Sequence, residues 1–235
     1  MFSVVFEVHP KPEQWDTYLG NAKMLRPDLE QVDGFVDNIR YKSLTREGWI
    51  LSLSGWRDEK AVVRWRTKMR HHMVQEKGRT EILSDYHLRV GQITADTRVP
   101  RGYSLQEQRL DETEVGEGTT LTLIDARSPS ASTARALAKA GAVAGVSAEE
   151  AAHHLGLPMQ SQGMLAWNAL DAVLTPGDLM LLISWKTQSH AQEFEKTVKL
   201  PSDGRIRRVR VVRDYGMFDR REAPQYYPDA ARTTA

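Results

Sequence analysis

The chain repeats itself. Gly34 and Gly163, Trp56 and Trp185, and Trp65 and Phe194 are each 129 positions apart, so glycine and aromatic landmarks stay in register through "DGFVDNIRYKSLTREGWILSLSGWRDEKAVVRW" and "QGMLAWNALDAVLTPGDLMLLISWKTQSHAQEF". A fixed internal period constrains the fold before any local assignment does, because both copies must adopt the same supersecondary unit. The 235 residues suit two small units.

Local patterns give the unit its order. "FSVVFEV" and "TLTLIDA" are short β-rich runs, each followed by a turn-prone segment and a helical stretch that begins near Glu13 or Ala131. Two further strands flank the turns "TREG" and "TPGD", a hairpin signal in both copies. Asp58 and Glu59 then open a helix on which Val62, Trp65 and Met69 fall at i, i+3 and i+7 as one apolar stripe. "DYHLRVGQI" and "RIRRVRVVRDY" close the copies as strands with one wet face. The order β-α-β-β-α-β is ferredoxin-like, which makes the expected fold class α+β in duplicate. The expected domains are 1–97 and 119–215, joined by a polar linker over 98–118 and followed by an arm over 216–235. The second copy carries the longer segment "GAVAGVSAEEAAHHLGLPMQSQ", expected to form helical turns from Ser147 to Leu155, to be stopped by Gly156 and Pro158, and to act as a lid.

Composition removes several chemistries. There is no cysteine, so thiolate nucleophiles, disulfides and cysteine-ligated metals are excluded. A formal charge of +1 and an arginine series (Arg207, Arg208, Arg210, Arg213) without stacking aromatics argue against a nucleic-acid partner. No apolar run approaches the roughly 18 residues of a membrane span, and "MFSVVFEVHP" lacks the pattern of a secretory signal. The expectation is a cytoplasmic protein with no membrane partner.

The block "LSLSGWRDEKAVVRWRTKMRHHMVQEKGR" followed by "DYHLRVGQI" resembles the antibiotic biosynthesis monooxygenase (ABM) domain, of the dimeric α+β barrel superfamily. The second half is similar through "LLISWKTQSHAQEF" but lacks the second tryptophan and the downstream histidines. The resemblance implies two ferredoxin-like units whose sheets pair into a barrel, closed by one chain or in a homodimer, with a cavity between each sheet and its helices. It also implies a small-molecule oxygenase using O2 on an aromatic or apolar substrate, possible in secondary metabolism and with no cofactor required. Haem binding, for use or degradation, is the alternative, and a non-catalytic ligand-binding or assembly barrel is a second. In quinone-forming members an asparagine stands four residues ahead of the strand-end tryptophan; here Ser52 and Leu181 hold those positions. In haem-degrading members an asparagine lies on the first strand, where this chain has Phe6 and Glu7, and a tryptophan precedes a histidine ligand on the second helix.

The catalytic candidates are Trp65, His71 and His72, with His71 or His72 as haem-iron ligand in the alternative reading. Adjacent helix positions diverge by about 100°, so both imidazoles cannot enter one cavity; the apolar stripe favours His72 and the resemblance favours His71. Trp56, Met69 and Arg89 are the substrate-binding candidates, weighed against core packing for Trp56 and a solvated strand face for Arg89 and the arginine series. His153 and His154 suit the C-terminal end of a helix better than a ligand role. The aromatics Tyr215, Phe218, Tyr226 and Tyr227 near the terminus are expected to pack across the barrel or a partner.

Overall fold

The computed structural model describes residues 1–140, 145–157, 161–225 and 227. The expected helix stop at Pro158 and the packing of Tyr226 lie outside the described residues. The first copy comprises β1 (Phe2–Pro10), α1 (Trp15–Glu30), β2 (Phe35–Ser43), β3 (Ile50–Trp56), α2 (Glu59–Arg66), α3 (Met69–Lys77), a π-helical turn over Gly78–Ile82 and β4 (Leu83–Asp96). The second comprises β5 (Thr120–Arg127), α4 (Ala131–Lys139), α5 (Ala148–His154), β6 (Met164–Ala172), β7 (Asp178–Trp185), α6 (Gln188–Thr197) and β8 (Arg205–Gly216).

The repeated glycines have a backbone cause. Gly34 and Gly163, and likewise Gly48 and Gly177, all adopt positive φ, between 75° and 90°, a region that side chains disfavour. A Cβ at Gly34 would lie 2.7 Å from the Ala61 methyl, and one at Gly163 would lie 2.2 Å from the ring of His190, the residue equivalent to Ala61. The same tight approach of turn to helix therefore fixes both copies.

All eight strands form one closed antiparallel barrel in the order β1-β3-β2-β6-β7-β5-β8-β4. Each copy contributes a four-stranded sheet of ferredoxin-like order, and the copies join at β2·β6 and β4·β8. Alternation along the strands separates two environments. Val5, Leu51, Leu53, Leu121, Leu123, Leu182 and Val209 point inward as a shared core. Phe2, Val8, Ile50 and Trp56 point outward, under the helices of the first copy.

The two outer faces differ. In the second copy Ala148, Ala151, Ala152 and Leu155 of α5 pack on Ala169, Leu181 and Ile183, so the insertion fills its own sheet face. This corrects the expectation of a lid: α5 starts with a full capping box between Ser147 and Glu150 and presents small apolar residues to the sheet. The first copy has no such inserted helix, and its outer face stays partly hollow.

Candidate active site

The hollow is a cavity of about 220 Å³ between the first sheet and helices α1, α2 and α3. Strand register arranges its floor. One row across the sheet runs Asn38, Ser54, Val4, Val90 and Arg213; the next runs Arg40, Ser52, Phe6, Leu88 and Tyr215. The floor is thus polar over β2 and β3, apolar over β1 and β4, and cationic and aromatic over β8. The equivalents of Asn38, Arg40, Ser52 and Ser54 in the second copy are Trp167, Ala169, Leu181 and Ile183, which explains why only the first copy keeps polar groups there. Asn38 Nδ2 donates to Ser52 Oγ at 3.1 Å and to the Leu53 carbonyl at 3.0 Å. An asparagine therefore reaches the position held by Ser52 from the neighbouring strand, a relation that only cross-strand register reveals.

The helix expected to run on from Asp58 is broken. Asp58 caps α2 by accepting from Ala61 N at 2.8 Å, but Lys68 is extended (ψ 126°) and α3 begins at Met69. The Trp65 carbonyl, which a continuous helix would offer to the Met69 amide, instead accepts from Lys68 N at 3.2 Å and from His71 Nδ1 at 3.1 Å. The break reverses the histidine expectation from the apolar stripe. His71 turns into the cavity and stacks on Trp65 with centroids 4.1 Å apart, while His72 is exposed. Since a carbonyl can only accept, His71 carries its proton on Nδ1, which leaves Nε2 as an acceptor. Burial, only partly opposed by the bond to Trp65, depresses the His71 pKa to about 4. The imidazole is accordingly neutral near pH 7.

That depression gives a signed prediction. Between about pH 6.5 and pH 4 the unfolded chain takes up a proton that folded His71 refuses, so stability falls as pH falls through this window. His71→Phe is expected to flatten that slope, measured as the difference in urea midpoint between pH 7 and pH 4.5.

The other candidates are placed as follows. Trp65 lines the cavity. Trp56 does not; it is fully buried, with Nε1 donating to Ser54 Oγ at 2.9 Å, as its counterpart Trp185 donates to Thr122 Oγ1 at 2.9 Å. Met69 is 80% exposed, because the break at Lys68 rotates it off the α2 stripe. Arg89 points into the barrel, on the opposite side of the sheet, and pairs with Glu7 at 2.5 Å. Of the arginine series, Arg207 pairs with Asp125, Arg208 with Glu195 and Arg210 with Glu107, while Arg213 reaches the cavity wall. His154 Nε2 bonds the Arg127 carbonyl at 2.8 Å, an end-of-helix contact. Trp56, Met69 and Arg89 thus all stand outside this cavity.

Sequence inspection missed Asn38, Ser52 as its partner, Tyr18 on α1 and, within the arm, Arg220. After β8 the chain returns across the first copy: Met217 N donates to the Tyr86 carbonyl at 3.1 Å, Gln225 reaches Gln75 at 3.4 Å, and the Tyr227 hydroxyl lies 3.2 Å from His72 Nδ1. Arg220 and Tyr227 thereby join the cavity wall. Burial raises the pKa of Tyr18, against the pull of Arg40, and pushes Tyr215 up to about 12, so both phenols stay neutral donors.

A haem fits these residues poorly. The cavity lies below the roughly 300–1,000 Å³ common for drug-sized ligands, His71 lies flat on an indole, and His72 is engaged by Tyr227 outside the cavity. Among the described residues no group of three or more His, Asp or Glu side chains is placed to hold a metal ion, and no helix is long and apolar enough to cross a membrane.

The structure is thus a duplicated α+β barrel with a small, mainly apolar hollow against its first sheet. The family model for antibiotic biosynthesis monooxygenase matches residues 1–77. A Pyricularia oryzae (strain 70-15) relative described as Jasmonate monooxygenase ABM is 50% identical over 232 residues, covering 98% of this chain and 100% of the relative. This chain belongs to the antibiotic biosynthesis monooxygenase family, whose members generally work on small molecules with O2 and without a cofactor. Among solved structures, a conserved protein from Methanosarcina mazei Go1 is 19% identical with a TM-score of 0.36, covering 38% of this chain and 88% of its own. An anthrone oxidase-like protein is 13% identical with a TM-score of 0.32, covering 95% and 96%. Likenesses at this level say nothing about chemistry.

Proposed function

We propose that this chain is a monooxygenase of small, mainly apolar carboxylic acids of the jasmonate kind, working in the cavity of its first copy with O2 and no bound cofactor. The observation that carries the reading is the cavity itself. An apolar floor at Phe6, Leu88 and Val90 lies between a polar patch and an arginine-rich wall, which matches a molecule with a hydrocarbon body and an acid group. The full-length relative named for jasmonate supports the same substrate class.

One atom of O2 enters the substrate and the other leaves as water. Where CH2 becomes C=O, the substrate supplies all the electrons; where C–H becomes C–OH, a two-electron reductant such as a reduced nicotinamide supplies the balance. In this reading Asn38 and Ser52 hold the substrate or reduced oxygen by hydrogen bonds, and His71 Nε2 accepts a hydrogen bond or proton, while Trp65 fixes the imidazole plane. The test is oxygen uptake by the purified chain with jasmonate, with and without NADH or NADPH, followed by mass analysis of the product. Uptake with incorporation of one oxygen atom is expected. Asn38→Ala and His71→Phe should each lower kcat by about 100-fold. Ligand binding with no uptake under either condition would leave a binding protein in place of an oxygenase.

A further inference from the structure

We infer that the cavity contains a carboxylate-anchoring subsite, built at its β4/β8 end by Arg66, Arg220 and Tyr86 and completed by the C-terminal arm. The inference rests on the substrate class proposed above and adds which residues recognise the acid group.

Charge in the wall is one-sided. Among the described residues the cavity wall holds Arg26, Arg40, Arg66, Arg79, Arg213 and Arg220 but one carboxylate, Glu59. Both oxygens of Glu59 accept from Arg109, at 2.9 and 2.8 Å, and Arg26 is held by Glu30 at 2.7 Å. The remaining cations are unevenly distributed. Arg40 stands at the β2 end beside Tyr18. At the other end Arg66, Arg213 and Arg220 line the wall together with Tyr215, the Arg220 guanidinium lies 5.8 Å from the Tyr215 ring centroid, and the Tyr86 hydroxyl accepts from Arg79 at 2.9 Å and also from Arg220.

Arg66 Nε is buried in this wall without a hydrogen-bond partner, and a bound anion would satisfy the guanidinium that the protein leaves unmet. A phenol oxygen that already accepts twice must send its own hydrogen elsewhere, so Tyr86 supplies an O–H donor beside the two cations. Planar guanidinium forks match the two oxygens of a carboxylate. The separation also suits an amphiphilic acid. Ser52 on β3 lies opposite Phe6 and Tyr86 on β4 lies opposite Val8, which sets them about 12 Å apart at the usual strand spacing and rise, with the Phe6 ring, 5.7 Å from that of Tyr86, as apolar floor between them.

Arg220 belongs to the arm, so the subsite exists only when that segment lies across α3. Its seat there is marked by Arg220 Nη2 donating to the Gln225 carbonyl at 2.9 Å and by the Tyr227 contact to His72.

The experiment is calorimetric binding of jasmonate and of its methyl ester, under anaerobic conditions, to the full-length protein and to Arg220→Met, Arg66→Met and Arg40→Met. The expected result is that the parent protein prefers the acid, and that Arg220→Met and Arg66→Met each weaken acid binding about 30-fold or more while ester binding is unchanged. Unchanged ester affinity also shows that the variant is folded. Equal loss for acid and ester, no loss for either, or an acid preference that disappears in Arg40→Met alone would overturn the assignment. Because oxygen is absent, the outcome is independent of turnover: acid preference carried by these arginines in a protein that never consumes O2 would remove the oxygenase reading and keep the subsite.

Discussion

Ser52→Leu is expected to abolish turnover while leaving the fold and its thermal midpoint intact. The substitution places in the first copy the residue that position 181 already carries, where Leu181 is fully buried against α5. In the first copy the added side chain projects from the cavity floor and displaces the hydroxyl that accepts from Asn38 Nδ2. Filling a void with apolar atoms is tolerated where space exists, so near-UV circular dichroism and the melting curve should match the parent. Activity should fall at least about 100-fold, since a substrate carbon shifted by roughly 1 Å already costs that much. A Ser52→Leu protein that keeps full activity would place the chemistry somewhere other than this cavity.

The second large effect lies inside the barrel. Glu7 is 4% exposed and Arg89 6% exposed; they pair at 2.5 Å, with Arg46 on the other carboxylate oxygen and Asn168 donating to it at 3.4 Å across the junction of the copies. Burial drives the Glu7 pKa upward, but Arg89, Arg46, His87 and the Asn168 bond outweigh it and hold the carboxyl below its usual range. Glu7→Leu leaves Arg89 buried without its main counter-charge and is expected to cost about 3–5 kcal/mol. Adding Arg89→Met should restore most of that loss, because a matched apolar pair avoids desolvation of both ions. Equilibrium urea unfolding of the two single variants and the double measures the cycle. The sign with pH follows from the lowered carboxyl: its contribution is complete above the ordinary carboxylate range and is lost as pH falls through the depressed value. Glu7→Leu should therefore be less sensitive to acid than the parent.

Much of the architecture was written in the repeat spacing. Matching glycines and tryptophans at a constant offset require matching turns and strand ends, and Gly34, Gly48, Gly163 and Gly177 do share one backbone conformation. The interruption between α2 and α3 was not visible, because no glycine or proline stands at Thr67 or Lys68; there the Trp65 carbonyl accepts from Lys68 N and the His71 ring in place of the Met69 amide. That single event moved His71 inward and Met69 outward. Asn38 escaped notice for a different reason. Its partner lies 14 residues away and becomes a neighbour only through antiparallel register. The hollow itself had a usable signal, the replacement of Trp167, Ala169 and Leu181 by Asn38, Arg40 and Ser52 between copies, although comparing landmark residues alone does not expose it. The arm's aromatics were noticed, but its Arg220 was not, since a charged residue near a terminus reads as solvated until Tyr86 is seen beneath it.

Because β2 bonds β6 and β4 bonds β8, the ring of strands closes on itself. Open sheets end in rows of unsatisfied amide and carbonyl groups that can template pairing with other molecules, and proteins must shield them. Here each strand has a neighbour on both sides, but β2 and β6 pair only through Tyr41–Ser43 and Leu170–Ala172, so this short seam is where the ring would open first to expose sticky backbone, and resistance to fibrous aggregation should track its integrity.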